Sequence, residues 1–239
     1  MPYLSVVIPA YNEAQRLPDT LTVIKEYLAK QSYSAEVLIV DDGSTDDTVA
    51  LVKKIMKNFS QLRLIENKHN QGKGGVVKQG MLAAKGEHRL FMDADNSTPL
   101  SELPNLLRHL PQSEVVIGSR YLEKGSIKVK QPLKRRIISR TCNIIIQLLL
   151  LPGIKDTQCG FKLFSAEAAT QIFPKLTMTG WSFDIELLTV ARKVGYSIKE
   201  VSVEWHDAKL SRFSASRGII PFIKDMIVIT RNSYQKKYQ

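Results

Sequence analysis

What this chain lacks narrows its function before any motif is read. Its 239 residues include only two cysteines, Cys142 and Cys159, at a spacing that fits no zinc or redox motif. Two free thiols in a reducing compartment are the expectation. The four histidines show no metal-binding spacing either. No apolar run reaches the roughly 18–20 residues that a membrane-spanning helix needs. The greasiest stretch, Ile137 to Leu151, is broken by Ser139, Arg140, Thr141, Asn143 and Gln147, so it can lie on a bilayer but not cross one. No basic leader precedes Leu4–Ile8, which argues against a secretory signal and for a cytoplasmic protein. Internal repeats, low-complexity tracts and Pro/Gly/Ser-rich linkers are missing too, leaving one folded unit large enough for a substantial core. The first strand is followed by no G-x-G-x-x-G turn, which argues against a nicotinamide-dependent dehydrogenase, and no P-loop spacing occurs.

Acidic charge is scarce in two places. The net charge is +11, yet residues 1–119 hold 13 basic and 14 acidic side chains, and residues 141–208 hold 6 and 7. The excess sits in residues 120–140, with 8 basic against 1 acidic, and in residues 209–239, with 7 against 1. Such blocks attract polyanions: nucleic acid, diphosphates or an anionic membrane face.

The first half alternates short apolar runs with amphipathic stretches, the pattern of a parallel sheet covered by helices. It predicts strands over Leu4–Ile8, Glu36–Val40, Leu62–Glu66, His88–Met92 and Glu114–Ile117. Helices are predicted over Leu17–Ala29, Asp46–Phe59 and Gly74–Lys85, the second capped by Ser44 or Thr45. Later come helices over Leu133–Leu151, Ser182–Val194 and Gly218–Tyr234 and a strand over Ile198–Val203. The expected organisation is an α/β domain over residues 1–212, then a basic amphipathic helix over 213–239 packed on the domain or on a membrane.

Polar clusters fall where ligands bind in open α/β sheets, at the carboxyl ends of strands. The first strand runs into Pro9-Ala10-Tyr11-Asn12-Glu13, the second into Asp41-Asp42-Gly43-Ser44-Thr45-Asp46, and the fourth into Asp93-Ala94-Asp95-Asn96. Carboxylates as close as Asp93 and Asp95 repel unless a cation lies beside them. Mg²⁺ or Mn²⁺, bound by both carboxylates and by substrate phosphates, is the expected cofactor. Asp41 and Asp42 suit a nucleobase N–H or a ribose hydroxyl; the alternative is a turn with capping by Ser44 and Asp46. Asn70-Gln71-Gly72-Lys73-Gly74-Gly75 opens a helix, and its amides with Lys73 suit an anion. Asp184 and Glu186 follow Trp181 on a helix, either as exposed charges or near a sugar. His206 reads as a loop residue.

Taken together, Val6-Val7-Ile8-Pro9-Ala10-Tyr11-Asn12-Glu13, Val40-Asp41-Asp42-Gly43-Ser44-Thr45-Asp46 and Asp93-Ala94-Asp95 resemble family 2 of the inverting glycosyltransferases. Asn70–Gly75, Gly118-Ser119-Arg120, Asp156-Thr157-Gln158-Cys159-Gly160-Phe161-Lys162 and Trp181–Leu188 are similar to the dolichyl-phosphate β-glucosyltransferases. Leu133-Lys134-Arg135-Arg136-Ile137-Ile138-Ser139-Arg140 looks more like the dolichyl-phosphate mannose synthases. The resemblance covers about residues 4–212. It implies a GT-A fold, a Rossmann-like and mostly parallel sheet, a UDP- or GDP-sugar donor, a divalent metal and a polyprenyl-phosphate acceptor. Carried over by position, Pro9, Ala10, Tyr11, Glu13 and Asp42 are expected to hold the nucleotide, and the chemistry of Asp41, Gly72, Lys73 and Asp93 adds them to the same expectation. Asp93 and Asp95 bind metal and diphosphate. Arg120 and Arg135 act in catalysis on the diphosphate or, with Arg140 and Arg212, on the acceptor phosphate.

Two departures favour glucose and UDP over mannose and GDP. Ser97 stands where mannose synthases carry a metal-binding Gln, and Trp205-His206-Asp207-Ala208 lacks their Arg while Ser211-Arg212 replaces Ser-Lys. The expected reaction is inverting transfer of glucose from UDP-glucose to a polyprenyl or dolichyl phosphate, at the cytoplasmic face of a membrane that the chain touches peripherally, with no nucleic acid as partner. The competing readings are a GDP-mannose donor, a sugar-hydroxyl acceptor, which requires a dedicated base carboxylate, a nucleotidyltransferase, which lacks its glycine-rich loop here, and a non-catalytic binding module.

Overall fold

The computed structural model describes residues 1–123, 133–206 and 215–238, with side chains described from residue 141 onward in one helix and from residue 221 onward in another. Among the described residues seven strands form one sheet: β1 (Leu4–Ala10), β2 (Ala35–Asp41), β3 (Leu62–Glu66), β4 (His88–Met92), β5 (Val115–Ser119), β6 (Phe161–Ser165) and β7 (Ile198–Ser202). Their order is β3-β2-β1-β4-β6-β5-β7. Strands β3, β2, β1 and β4 run parallel, as do β5 and β7, whereas β6 runs antiparallel to both β4 and β5.

The helices are α1 (Leu17–Leu28), α2 (Thr48–Met56), α3 (Lys73–Ala83), α4 (Leu103–Leu107), α5 (Leu133–Leu149), α6 (Ala166–Ile172), α7 (Phe183–Val194) and α8 (Ala215–Tyr234). Alternate residues of one strand feed two cores. Val7, Leu38, Val40 and Phe91 pack under α3 and α7, reaching Met226 and Ile229 of α8. Val6, Ile8, Val37, Ile39, Leu90 and Met92 pack under α1, α2 and α4. Burial on both faces is why these strands read as unbroken apolar runs.

Several expectations change. β6 and α6 were not foreseen, nor was α4. Strand β1 continues through Pro9 to Ala10: its pairing with β4 ends at Val7, so the N–H that Pro9 lacks is not needed there, while the Ala10 carbonyl still accepts from Asp42 on the β2 side. α2 starts at Thr48 rather than Asp46, and neither Ser44 nor Thr45 caps it. Ser44 is engaged by Asp41 and by the Asn12 amide, while Asp46 accepts the Thr48 amide at 3.0 Å. α5 ends at Leu149, and α8 begins at Ala215. α8 packs on α7 and α5.

Candidate active site

The parallel strands end on one edge of the sheet, and the strand order reverses between β1 and β4, the position where α/β sheets hold ligands. Because β6 runs the other way, its beginning rather than its end reaches this edge: Met92 pairs with Phe161. The Asp93 amide donates to the Gly160 carbonyl at 3.0 Å. A Cβ on Gly160 would stand 2.0 Å from an Asp93 carboxylate oxygen, so any side chain there would displace that carboxylate.

Asp93 and Asp95 follow β4 and are half-buried. Burial first, and then the Asp93 charge, push the Asp95 carboxyl above its ordinary range. Asp95 accepts the Ser97 amide at 3.0 Å and lies 3.7 Å from Arg16 Nη1. Lys73 Nζ sits 2.7 Å from Asp93 Oδ1 and 5.1 Å from the centre of the Trp181 ring. Burial weakens this ammonium, but Asp93 and Asp184 outweigh that and raise its pKa. Oδ1 of Asn96, whose φ of 51° is left-handed, is buried without a hydrogen-bond partner among the described residues.

Two crowded carboxylates, one with raised proton affinity, and an unpartnered oxygen beside them fit a hard divalent cation that also takes diphosphate oxygens. Among the described residues no group of three or more acidic, histidine or cysteine side chains could form an all-protein cage. The remaining ligands would therefore come from Asn96, substrate and water.

On the β1–β2 side, the expected nucleotide residues come together, though their carboxylates are already engaged. Pro9 and Ala10 are buried and Tyr11 is exposed. Glu13 is gripped by Arg16 through two hydrogen bonds of 2.7 and 2.6 Å. Asp41 accepts the amides of Gly43 and Ser44 and the Ser44 hydroxyl. Asp42 accepts the amides of Gln71 and Gly72 at 2.6 and 3.1 Å, fastening the Asn70–Gly75 loop. Burial pushes the Asp42 carboxyl up, against the pull of those two amides.

Arg120, after β5, is only 14% exposed and forks onto Asp156 at 2.7 and 2.8 Å. Its amide also donates to Asp156, and the guanidinium lies 5.3 and 5.4 Å from the Tyr121 and Trp205 rings. Asp156 in turn is steadied by Glu200, which accepts its amide at 2.7 Å. Arg135 and Arg140 lie on α5, but their side chains are outside the described residues, as is Arg212 altogether.

Asp184 and Glu186 are not exposed helix charges; both are buried, Asp184 at 3% and Glu186 at 0% exposure. Asp184 pairs with the fully buried Lys162 at 2.5 Å, and Lys162 also donates to the Cys159 carbonyl. Arg16, Asp156 and Lys162 carry roles that the sequence reading missed. Lys162 had a signal: a lysine flanked by Phe161 and Leu163 inside an apolar strand must find a buried partner.

The family described as "Glycosyl transferase family 2" matches residues 5–173. The chain is 39% identical over 243 residues to a Dictyostelium discoideum protein named dolichyl-phosphate beta-glucosyltransferase, spanning 95% of this chain and 73% of that one. A Saccharomyces cerevisiae protein of the same name is 36% identical over 247 residues, spanning 95% and 74%. Among solved structures, glucosyl-3-phosphoglycerate synthase from Mycobacterium tuberculosis in complex with UDP superposes with a TM-score of 0.67 at 20% identity, covering 97% of this chain and 80% of that one. The same synthase with Mn²⁺, UDP-glucose and glycerol 3-phosphate gives 0.63 at 19% identity, covering 98% and 78%. The structural likeness shows the GT-A fold.

Proposed function

This chain belongs to glycosyl transferase family 2, and from that premise we propose that it transfers glucose from UDP-glucose to the phosphate of a dolichyl or other polyprenyl lipid, with inversion. The observation that carries this reading is the loop Asp156–Gly160. One end of it holds the Arg120 fork and the other lies against Asp93, so a phosphate-binding cation and the diphosphate-binding carboxylates share one short segment.

The second support is what the acidic side chains are doing. Glu13 is tied to Arg16, Asp41 and Asp42 to amides, Asp156 to Arg120 and Asp184 to Lys162. None of these five stands ready as the general base that a sugar hydroxyl would require. A phosphate monoester needs none, because with a second pKa near 6 it is largely dianionic at neutral pH. In this reading a lipid phosphate oxygen attacks the anomeric carbon, the bond from that carbon to the UDP oxygen breaks, and UDP departs. Asp93 and Asp95 would hold Mg²⁺ or Mn²⁺, which neutralises charge on the departing diphosphate. Lys73 adds a fixed positive charge at the same place, and Arg120 orients the attacking phosphate. The exposed Trp181 borders Lys73 and offers a ring face to the hexose.

The setting in this proposal is the cytoplasmic face of a membrane, touched peripherally. Among the described residues no helix is long and apolar enough to cross a bilayer. α5 presents Ile144, Ile145, Leu148 and Leu149 outward, and its packing partner α8 presents Ile223, Ile227, Val228 and Tyr234. Two adjoining helices with exposed apolar residues and basic neighbours suit an anionic interface.

The test is transfer of radiolabelled sugar to a short polyprenyl phosphate with Mn²⁺ or Mg²⁺ present. Metal-dependent, chloroform-extractable label from UDP-glucose is the expected result. Label from GDP-mannose alone would overturn the glucose reading, and label on a soluble sugar acceptor only would overturn the lipid phosphate.

A further inference from the structure

Glu186 is a heavily used carboxylate outside the reaction centre. It is completely buried on α7 and accepts four hydrogen bonds: from the Thr177 amide at 2.8 Å, the Thr177 hydroxyl at 2.6 Å, the Met178 amide at 2.7 Å and the Tyr238 hydroxyl at 2.8 Å. The first three come from the segment leading to Trp181. The fourth comes from the turn after α8, where Tyr238 is 1% exposed and also meets Asn232. Burial and the Glu186 charge push the Tyr238 phenol up, so it stays a neutral donor.

The segment held by Glu186 reaches the donor side directly. The Thr179 carbonyl accepts the Gly74 amide at 2.7 Å. At Gly72, with φ of 83°, a Cβ would come within 2.5 Å of that same carbonyl. Between these glycines stands Lys73, with Asp93 at 2.7 Å and the Trp181 ring above it. Hydrogen bonds and close contacts therefore run without a gap from Tyr238 to Asp93.

We propose that Glu186 is a positioning residue, through which the turn after α8, latched by Tyr238, sets the Thr177–Trp181 segment and with it Lys73 against Asp93. The consequence for donor binding rests on the reading given under Proposed function; the latch itself does not. α8 also carries the exposed Ile223, Ile227 and Val228.

The experiment is hydrogen–deuterium exchange on the full chain and its Tyr238→Phe variant, which keeps the buried ring and removes one hydroxyl. Glu186→Gln, which leaves a single acceptor oxygen for four donors, is the second variant. Exchange at Gly72–Gly75 and Thr177–Trp181 should accelerate on the order of tenfold, with β1 and β2 unchanged; a merely structural role would move all amides together. The UDP dissociation constant of Tyr238→Phe should rise several-fold. Acceleration confined to residues 232–238 in both variants, or uniform over the sheet, would overturn the proposal. Full-length protein that binds no UDP would sink the donor reading, while the exchange pattern still decides the latch.

Discussion

The two flanks of the site edge hold their carboxylates by different means. Beside β1 and β2, Asp41 and Asp42 are satisfied by backbone amides and a hydroxyl from neighbouring loops. Beside β5 and β6, Asp156 and Asp184 are satisfied by the cations of Arg120 and Lys162, all of them largely buried. Amides are fixed dipoles that survive loss of the carboxylate charge, because an uncharged oxygen still accepts from them. A buried cation that loses its partner has no such substitute. The first flank should therefore tolerate neutralisation and the second should not.

Asp93 and Asp95 lie between the flanks, and neutralising both as Asn should have the largest effect. Turnover should fall on the order of 10³-fold or more, read as product per minute at saturating donor, while the protein stays folded by circular dichroism. The comparison itself is tested by Asp156→Asn against Asp42→Asn. The former should cost about 3–5 kcal/mol of stability by leaving Arg120 uncompensated; the latter about 1 kcal/mol. Equal shifts of the urea midpoint would break the distinction.

Glu36 sharpens it, because it mixes both devices, accepting from the Ser5 hydroxyl, the Lys85 amide and the half-exposed Arg63. Burial pushes its carboxyl up, but these three donors together hold it below its ordinary value. A depressed carboxyl contributes stability that is present above the unfolded pKa of about 4.3 and lost as pH falls through the folded value. Glu36→Gln should thus cost about 1 kcal/mol at pH 7, discounted for the exposure of Arg63, and the difference from the parent should shrink in melts below pH 4. The smallest effect concerns the thiols. Burial pushes Cys159 up to about 12, whereas Cys142 is half-buried. Iodoacetamide at pH 8 should modify Cys142 first, as counted by mass spectrometry.

The β1–β2 flank was legible in the sequence because its chemistry is local: an apolar strand, then a polar turn, with every partner a few residues away or in the next motif. The place of Asp93 and Asp95 at the end of β4 was legible for the same reason. The other flank was not, since Asp156 meets Arg120 across 36 residues and Lys162 meets Asp184 across 22. β6 escaped notice because Lys162 interrupts its apolar run, and the buried partner that makes such a lysine tolerable is invisible to periodicity. Arg16 carries no local signal in the sequence, although its guanidinium reaches both Glu13 and Asp95.

The reversed strand in the middle of the sheet also dictates a timetable. A growing chain can complete β3-β2-β1-β4 once residue 92 has emerged, but β4 keeps an open row of amides and carbonyls until Phe161–Ser165 is made. At about 5–20 residues per second the ribosome leaves that edge bare for several seconds. An apolar edge of this kind is a template for pairing with a neighbouring chain. Slower synthesis between residues 92 and 165 should therefore lengthen the time this edge stands exposed.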